Sequence, residues 1–135
     1  HGDDEMLCGF DCPTGCRCRG YAMTCNVKSI QESDIRQFPH KTHWLKFSTY
    51  SDIEAVVEEK DLDFPLLYLL NLSSCNIKEI TPNSFLKLLN LKILDLSNNM
   101  IKKFSPLTFI GLRLLQTLIL DGNKNLEILE PFTFS

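Results

Sequence analysis

One pattern of apolar residues recurs every 24 positions along the second half of this chain. Leu67, Leu70, Leu72, Cys75, Ile77 and Ile80 form one copy, and Leu91, Leu94, Leu96, Asn99, Ile101 and Phe104 the next. Leu115, Leu118, Leu120 and Asn123 begin another. Phe85 and Phe109 share a later position, as do Leu88 and Leu112. A degenerate earlier copy runs Leu45, Phe47, Ile53, Val56 and Phe64, with one extra residue before Ile53. The last copy also carries an extra residue, which places Leu126 and Leu129 at its next apolar pair. Such self-similarity is the mark of a one-dimensional stack. Each unit supplies a short strand and a return segment, and buries its apolar side only against its neighbours.

The template, L-x-x-L-x-L-x-x-N/C-x-I-x-x-I followed by F-x-x-L, resembles the leucine-rich repeat. The resemblance implies an α/β-type solenoid. A short parallel sheet lines its concave face, and the convex side is irregular or briefly helical. In that family the buried side chain at the ninth position hydrogen-bonds neighbouring backbone. Asn99 and Asn123 are expected to do so. Cys75 fills the same slot as a small, weakly polar group, and a thiol in apolar surroundings is inert.

Six cysteines are present: Cys8, Cys12, Cys16, Cys18, Cys25 and Cys75. Such a dense cluster in a short segment reads as a disulfide scaffold, and hence as an extracellular or lumenal chain. The spacing Cys12-x3-Cys16-x-Cys18-x6-Cys25 fits paired zinc ligands poorly. Cys16 and Cys18 are too close to bond one another comfortably. Two pairings remain, Cys12–Cys18 with Cys16–Cys25, or Cys12–Cys16 with Cys18–Cys25, and Cys8 is left over. The run Cys-Pro-Thr-Gly-Cys-Arg-Cys-x6-Cys resembles the cysteine-rich N-terminal flank of extracellular leucine-rich-repeat proteins. In that family the first cysteine joins the third and the second the fourth, which implies Cys12–Cys18 and Cys16–Cys25. Tyr21 to Cys25 is expected to form a strand antiparallel to the repeat strands, with Ile30, Ile35 and Phe38-Pro39 leading into the first repeat.

The first eight residues, His-Gly-Asp-Asp-Glu-Met-Leu-Cys, resemble the end of a low-density-lipoprotein-receptor class A module, D-E-x-x-C. Asp4, Glu5 and Cys8 match that ending, and His1 departs from it. Calcium needs six to eight oxygens, so this short piece is expected to be a solvated acidic tail. The chain therefore divides into a module remnant (1–8), a cysteine-rich cap (9–39) and four repeats (40–135). The stop at Phe134-Ser135 reads as a truncation, leaving Leu118, Leu120, Leu129 and Phe134 facing water.

Composition excludes several classes. At 135 residues, 44% apolar and 23% charged, the chain is a globular domain. A net charge of −3 gives no basic excess to hold a nucleic-acid backbone. No run of 18 apolar residues occurs, so the chain does not itself span a membrane. No catalytic constellation can be named: His40-x2-His43 lacks accompanying carboxylates, Asp61 and Asp63 read as solvated, and no nucleophile motif or phosphate-cradling loop appears. No cofactor and no metal are expected.

Binding is expected on the concave face, where side chains alternate with the inward leucines. Across the four units the outward positions are His43, Trp44, Lys46 and Ser48; Tyr68, Leu69, Asn71 and Ser73; Lys92, Ile93, Asp95 and Ser97; and Gln116, Thr117, Ile119 and Asp121. Of these, His43, Trp44, Lys46, Tyr68, Asn71, Lys92, Asp95, Gln116, Ile119 and Asp121 are the candidate ligand contacts, since aromatic anchors among mixed charges suit protein recognition. Asn71-Leu72-Ser73 is also a glycosylation sequon. A class A ending joined directly to this cap resembles the ectodomains of relaxin-receptor-like and invertebrate orphan leucine-rich-repeat G-protein-coupled receptors. That resemblance implies capture of a peptide hormone or protein ligand outside the plasma membrane, with signalling by membrane helices elsewhere in the parent chain. The alternative is a secreted or single-pass adhesion or guidance protein that uses the same repeats.

Overall fold

The computed structural model describes residues 12–26, 38–47, 63–80 and 84–127. Ile30, Ile35, Ser48, Ile53, Val56, Asp61, Leu129, Phe134 and the entire 1–8 segment lie outside them. The described residues form a sheet in chain order: β1 (Cys16–Arg19), β2 (Ala22–Cys25), β3 (Trp44–Phe47), β4 (Leu69–Asn71), β5 (Ile93–Asp95) and β6 (Thr117–Ile119). β1 and β2 are an antiparallel hairpin, and every later pairing is parallel.

The repeat explains this register. Leu70 pairs with Leu94 and Leu94 with Leu118. Leu45 pairs with Leu70 and Met23 with Leu45, so a single inward row runs through five strands. A second row, Cys25, Phe47, Leu72 and Leu96, is also buried. Burying an aliphatic side chain contributes about 1.5–3 kcal/mol, and each is covered by the units on either side. Behind the leucines lies an aromatic layer. Phe38 sits 6.5 Å from both Phe47 and Phe64, Phe85 stacks on Phe109 at 6.3 Å, and Phe104 meets Phe109 edge-on at 5.0 Å. Among the described residues, helix is limited to one 3₁₀ turn, Pro106–Phe109, capped by the Ser105 hydroxyl, which accepts from the Leu107 N–H.

β4, β5 and β6 exit through the same backbone device. Ser74, Asn98 and Gly122 have φ of 54°, 56° and 79°, at equivalent positions one repeat apart. The left-handed conformation strains most residues and suits asparagine and glycine. At Gly122 a Cβ would also collide with the Asn98 side chain. The turn throws the ninth residue inward. Asn99 Oδ1 accepts from the N–H groups of Cys75 (2.9 Å) and Ile77 (3.1 Å), and its Nδ2 donates to the carbonyls of Leu72 (3.0 Å) and Leu96 (2.9 Å). Asn123 repeats the arrangement one coil on, accepting from Ile101 N–H and donating to Leu96 and Leu120.

The cap corrects one expectation. β2 runs parallel to β3, not antiparallel to the repeats. The reversal is confined to β1, which turns into β2 through Gly20 (φ 59°), a glycine position in a tight hairpin loop. The Tyr21 carbonyl accepts from His43 N–H (2.8 Å) and Trp44 N–H (3.2 Å). Later carbonyls at this position, on His43, Tyr68 and Lys92, receive the next coil in the same way. β2 is thus already a repeat strand, and β1 alone covers the first edge. Cys12–Cys18 and Cys16–Cys25 are bonded. At the other end Leu118 and Leu120 are half-buried rather than fully facing water.

Asn99→Ala is expected to strand two buried N–H groups of the preceding coil, at about 1–3 kcal/mol for each group left unmade. Asn90 makes one exposed bond, from Nδ2 to the Pro65 carbonyl, so Asn90→Ala should cost under about 1 kcal/mol. Urea unfolding followed by the emission of Trp44, the single tryptophan, checks the contrast.

Candidate protein-binding face

The outward rows follow from the same register. One row reads Arg19, Ala22, Trp44, Leu69, Ile93 and Thr117. The next reads Arg17, Thr24, Lys46, Asn71, Asp95 and Ile119. Just before the strands lies a third series, Tyr21, His43, Tyr68, Lys92 and Gln116, linked through the carbonyls described above.

Aromatic rings gather where the first rows begin. Tyr21 and His43 stack with centroids 4.2 Å apart and planes 8° from parallel. Trp44 meets Tyr68 edge-on at 5.3 Å and 90°, the arrangement favoured by ring quadrupoles. Trp44 remains 45% exposed, while Leu69 and Ile93 beside it are half-buried. The result is a rigid apolar shelf with one protruding indole.

The candidate residues fare differently. Trp44, Lys46, Lys92, Gln116 and Asp121 are exposed, and His43, Tyr68 and Ile119 are half-buried. Asn71 and Asp95 are half-buried and already engaged. Asn71 Oδ1 accepts from the Ser73 N–H (3.0 Å) and hydroxyl (2.8 Å), and Asp95 Oδ1 from the Ser97 N–H (2.9 Å) and hydroxyl (2.6 Å). These are side-chain turns that end the strands. Ser97 is buried, contrary to its expected outward position, with its hydroxyl turned onto Asp95. The sequon at Asn71 coincides with a turn whose twin at Asp95–Ser97 has no asparagine to modify, so the N-x-S pattern has a structural cause of its own.

Five face residues escaped the sequence reading: Arg17, Arg19, Tyr21, Ala22 and Thr24. Arg17 and Arg19 are exposed, and their strand partners are Thr24 and Ala22. The signal was available. If Cys16 and Cys18 both turn inward to bridges, period-two alternation sends the intervening arginines outward.

The four cap cysteines are spent in disulfides and supply no thiolate to a metal. A recess of about 350 Å³ at the last strand is lined by Leu115, Gln116, Thr117 and Leu118, none of which titrates. Among the described residues no helix is long and apolar enough to cross a membrane. Outside the strands, Leu86, Leu89, Leu107 and Ile110 are also exposed.

Cys75 is free and fully buried, with its Sγ donating to the Ser73 carbonyl at 3.2 Å. Burial pushes its thiol up from 9.0 to about 12, and the Asp95 carboxylate adds to the shift. The unfolded thiol thus ionises before the folded one. Stability from this group is intact below pH 9.0 and declines as pH rises toward about 12. At mildly alkaline pH, iodoacetamide should leave Cys75 unmodified in the folded chain and label it rapidly in concentrated guanidinium. Peptide mass mapping reads the outcome.

Comparison with known proteins agrees with this geometry. Residues 65–124 match the leucine rich repeat family. The crystal structure of human 5T4 (Wnt-activated inhibitory factor 1, trophoblast glycoprotein) is similar, with a TM-score of 0.61 and 26% identity over 83% of this chain and 41% of that chain. This chain therefore spans well under half of that protein's structure. Among curated proteins, none is significantly similar in sequence. The fold is that of a leucine-rich-repeat solenoid, an architecture that typically binds proteins without catalysis, and its disulfides suit an extracellular setting.

Proposed function

We propose that this leucine-rich-repeat solenoid is the protein-binding module of an extracellular protein, with the concave face as its recognition surface. The observation that carries this reading is the Trp44–Tyr68 pair. A large indole stands exposed on a strand, braced by a second ring at 5.3 Å. A braced aromatic loses little rotamer freedom on binding and supplies much contact area. Such residues dominate the energetics of protein interfaces.

The finer reading is the ligand-binding ectodomain of a leucine-rich-repeat G-protein-coupled receptor, with a peptide hormone or protein as ligand. It rests on Asp4, Glu5 and Cys8, which resemble the end of a class A module, and on the short step from Cys8 to Cys12. The likeness to 5T4, titled a trophoblast glycoprotein and Wnt-activated inhibitory factor, is equally consistent with the second reading, a secreted or single-pass adhesion or guidance protein. The parent reading frame separates them: seven apolar spans of about 20 residues downstream support the receptor, and one or none the alternative.

The face itself is tested on the intact 135-residue chain with a random displayed-peptide library. Binders should lose about tenfold or more in affinity to Trp44→Ala and Tyr68→Ala. They should be indifferent to the double change Leu107→Ser, Ile110→Ser outside the strands. The opposite pattern would move the interface away from the strands. Circular dichroism confirms that each variant is folded.

A further inference from the structure

The three strands nearest the cap read CRCR, AMTC and WLKF. They carry three cations and no carboxylate. The register places all three cations on one face: Arg17 shares a row with Lys46, two strands away, and Arg19 shares the adjoining row with Trp44. With strands about 4.8 Å apart and side chains recurring about 6.8 Å along a strand, the three lie within about 12 Å of one another. Among the described residues, carboxylates enter the face beyond β4, at Asp95 and Asp121. The surface is therefore polarised, positive and aromatic at the cap, mixed toward β6.

We propose that the cap half of the concave face is a docking site for an acidic polypeptide segment. Its carboxylates meet Arg17, Arg19 and Lys46, and an apolar side chain packs on Trp44. The proposal rests on the protein-recognition reading above and names the chemistry of the partner. Complementary charge sets register and rate at an interface, and the indole supplies the contact that desolvates it. Preorganisation favours the site. Cys16 and Cys25 pair across the hairpin and are joined by a disulfide, and Cys18 is tied to Cys12, so the backbone beneath both arginines is fixed before the partner arrives.

Two other roles for the charges fare worse. β1 is an edge strand, and charges there discourage edge-to-edge pairing. Lys46 lies on the interior strand β3, where that purpose does not apply. A polysaccharide polyanion would use the cations but gain little from the shelf of Trp44, Leu69 and Ile93. A long one would also run onto Asp95, in the same row as Lys46.

The test uses the full chain and the displayed-peptide selection, now read for charge at low salt. Enriched peptides should be net acidic and contain an aromatic or large aliphatic residue. The double variant Arg17→Glu, Arg19→Glu keeps the edge charged and reverses its sign, so edge protection survives while docking does not. It should weaken synthetic versions of those peptides by about tenfold or more, and high salt should shrink the difference. Lys46→Glu should act in the same direction. Neutral or basic winners, no enriched peptides, or affinities that survive charge reversal would overturn the proposal. If such peptides still depend on Trp44 and Tyr68, recognition by this face stands and only the partner's chemistry is rejected. If neither aromatic matters, the face is rejected as well. A heparin oligosaccharide that binds more tightly than the peptides and ignores Trp44→Ala would also overturn it, assigning the cations to a polysaccharide.

Discussion

Among the described residues, two successive coils have backbone N–H groups that their own residues do not satisfy, and the next coil supplies the missing partner. Asn99 reaches back to the N–H groups of Cys75 and Ile77, and Asn123 to that of Ile101. Buried N–H groups without acceptors are costly, so a unit is stable only when its neighbour is in place. The inward leucines impose the same dependence through burial. Hydrogen bonding and packing thus enforce one register together, and that register decides which side chains stand on the concave face.

The ladder needs an entrance. A stack of parallel strands has a first strand with nothing before it, and β1 covers that edge by running antiparallel to β2. The disulfides hold a hairpin too short to hold itself. Function and stability meet here: the bridges that seal the core edge also point Arg17 and Arg19 at the face. The face therefore has a polarity that the repeats alone would not give it.

Much of the design was legible in the residues. The 24-residue period fixed strand positions, and with them the inward rows and the alternating outward ones. The sense of β2 was not legible. Tyr21 to Cys25 carries no repeat signature, and only the shared acceptor role of the Tyr21 carbonyl reveals that it behaves as a repeat strand. The engagement of Asn71 and Asp95 was likewise hidden. Outward alternation says where a side chain starts, not whether a serine two residues later will claim its oxygen.

The division of labour has a physical reason. Periodicity is local information repeated, so the sequence by itself determined the stacked-coil architecture, the core rows and the asparagine ladder. Lateral neighbourhood is not local. That Trp44 rests against Tyr68, that His43 lies on Tyr21, and that two arginines of the cap share rows with Lys46 and Trp44 depends on which strand pairs with which, and in what direction. Only the tertiary structure decides that, because it is settled by the hydrogen bonds between coils and not by the order of residues within one.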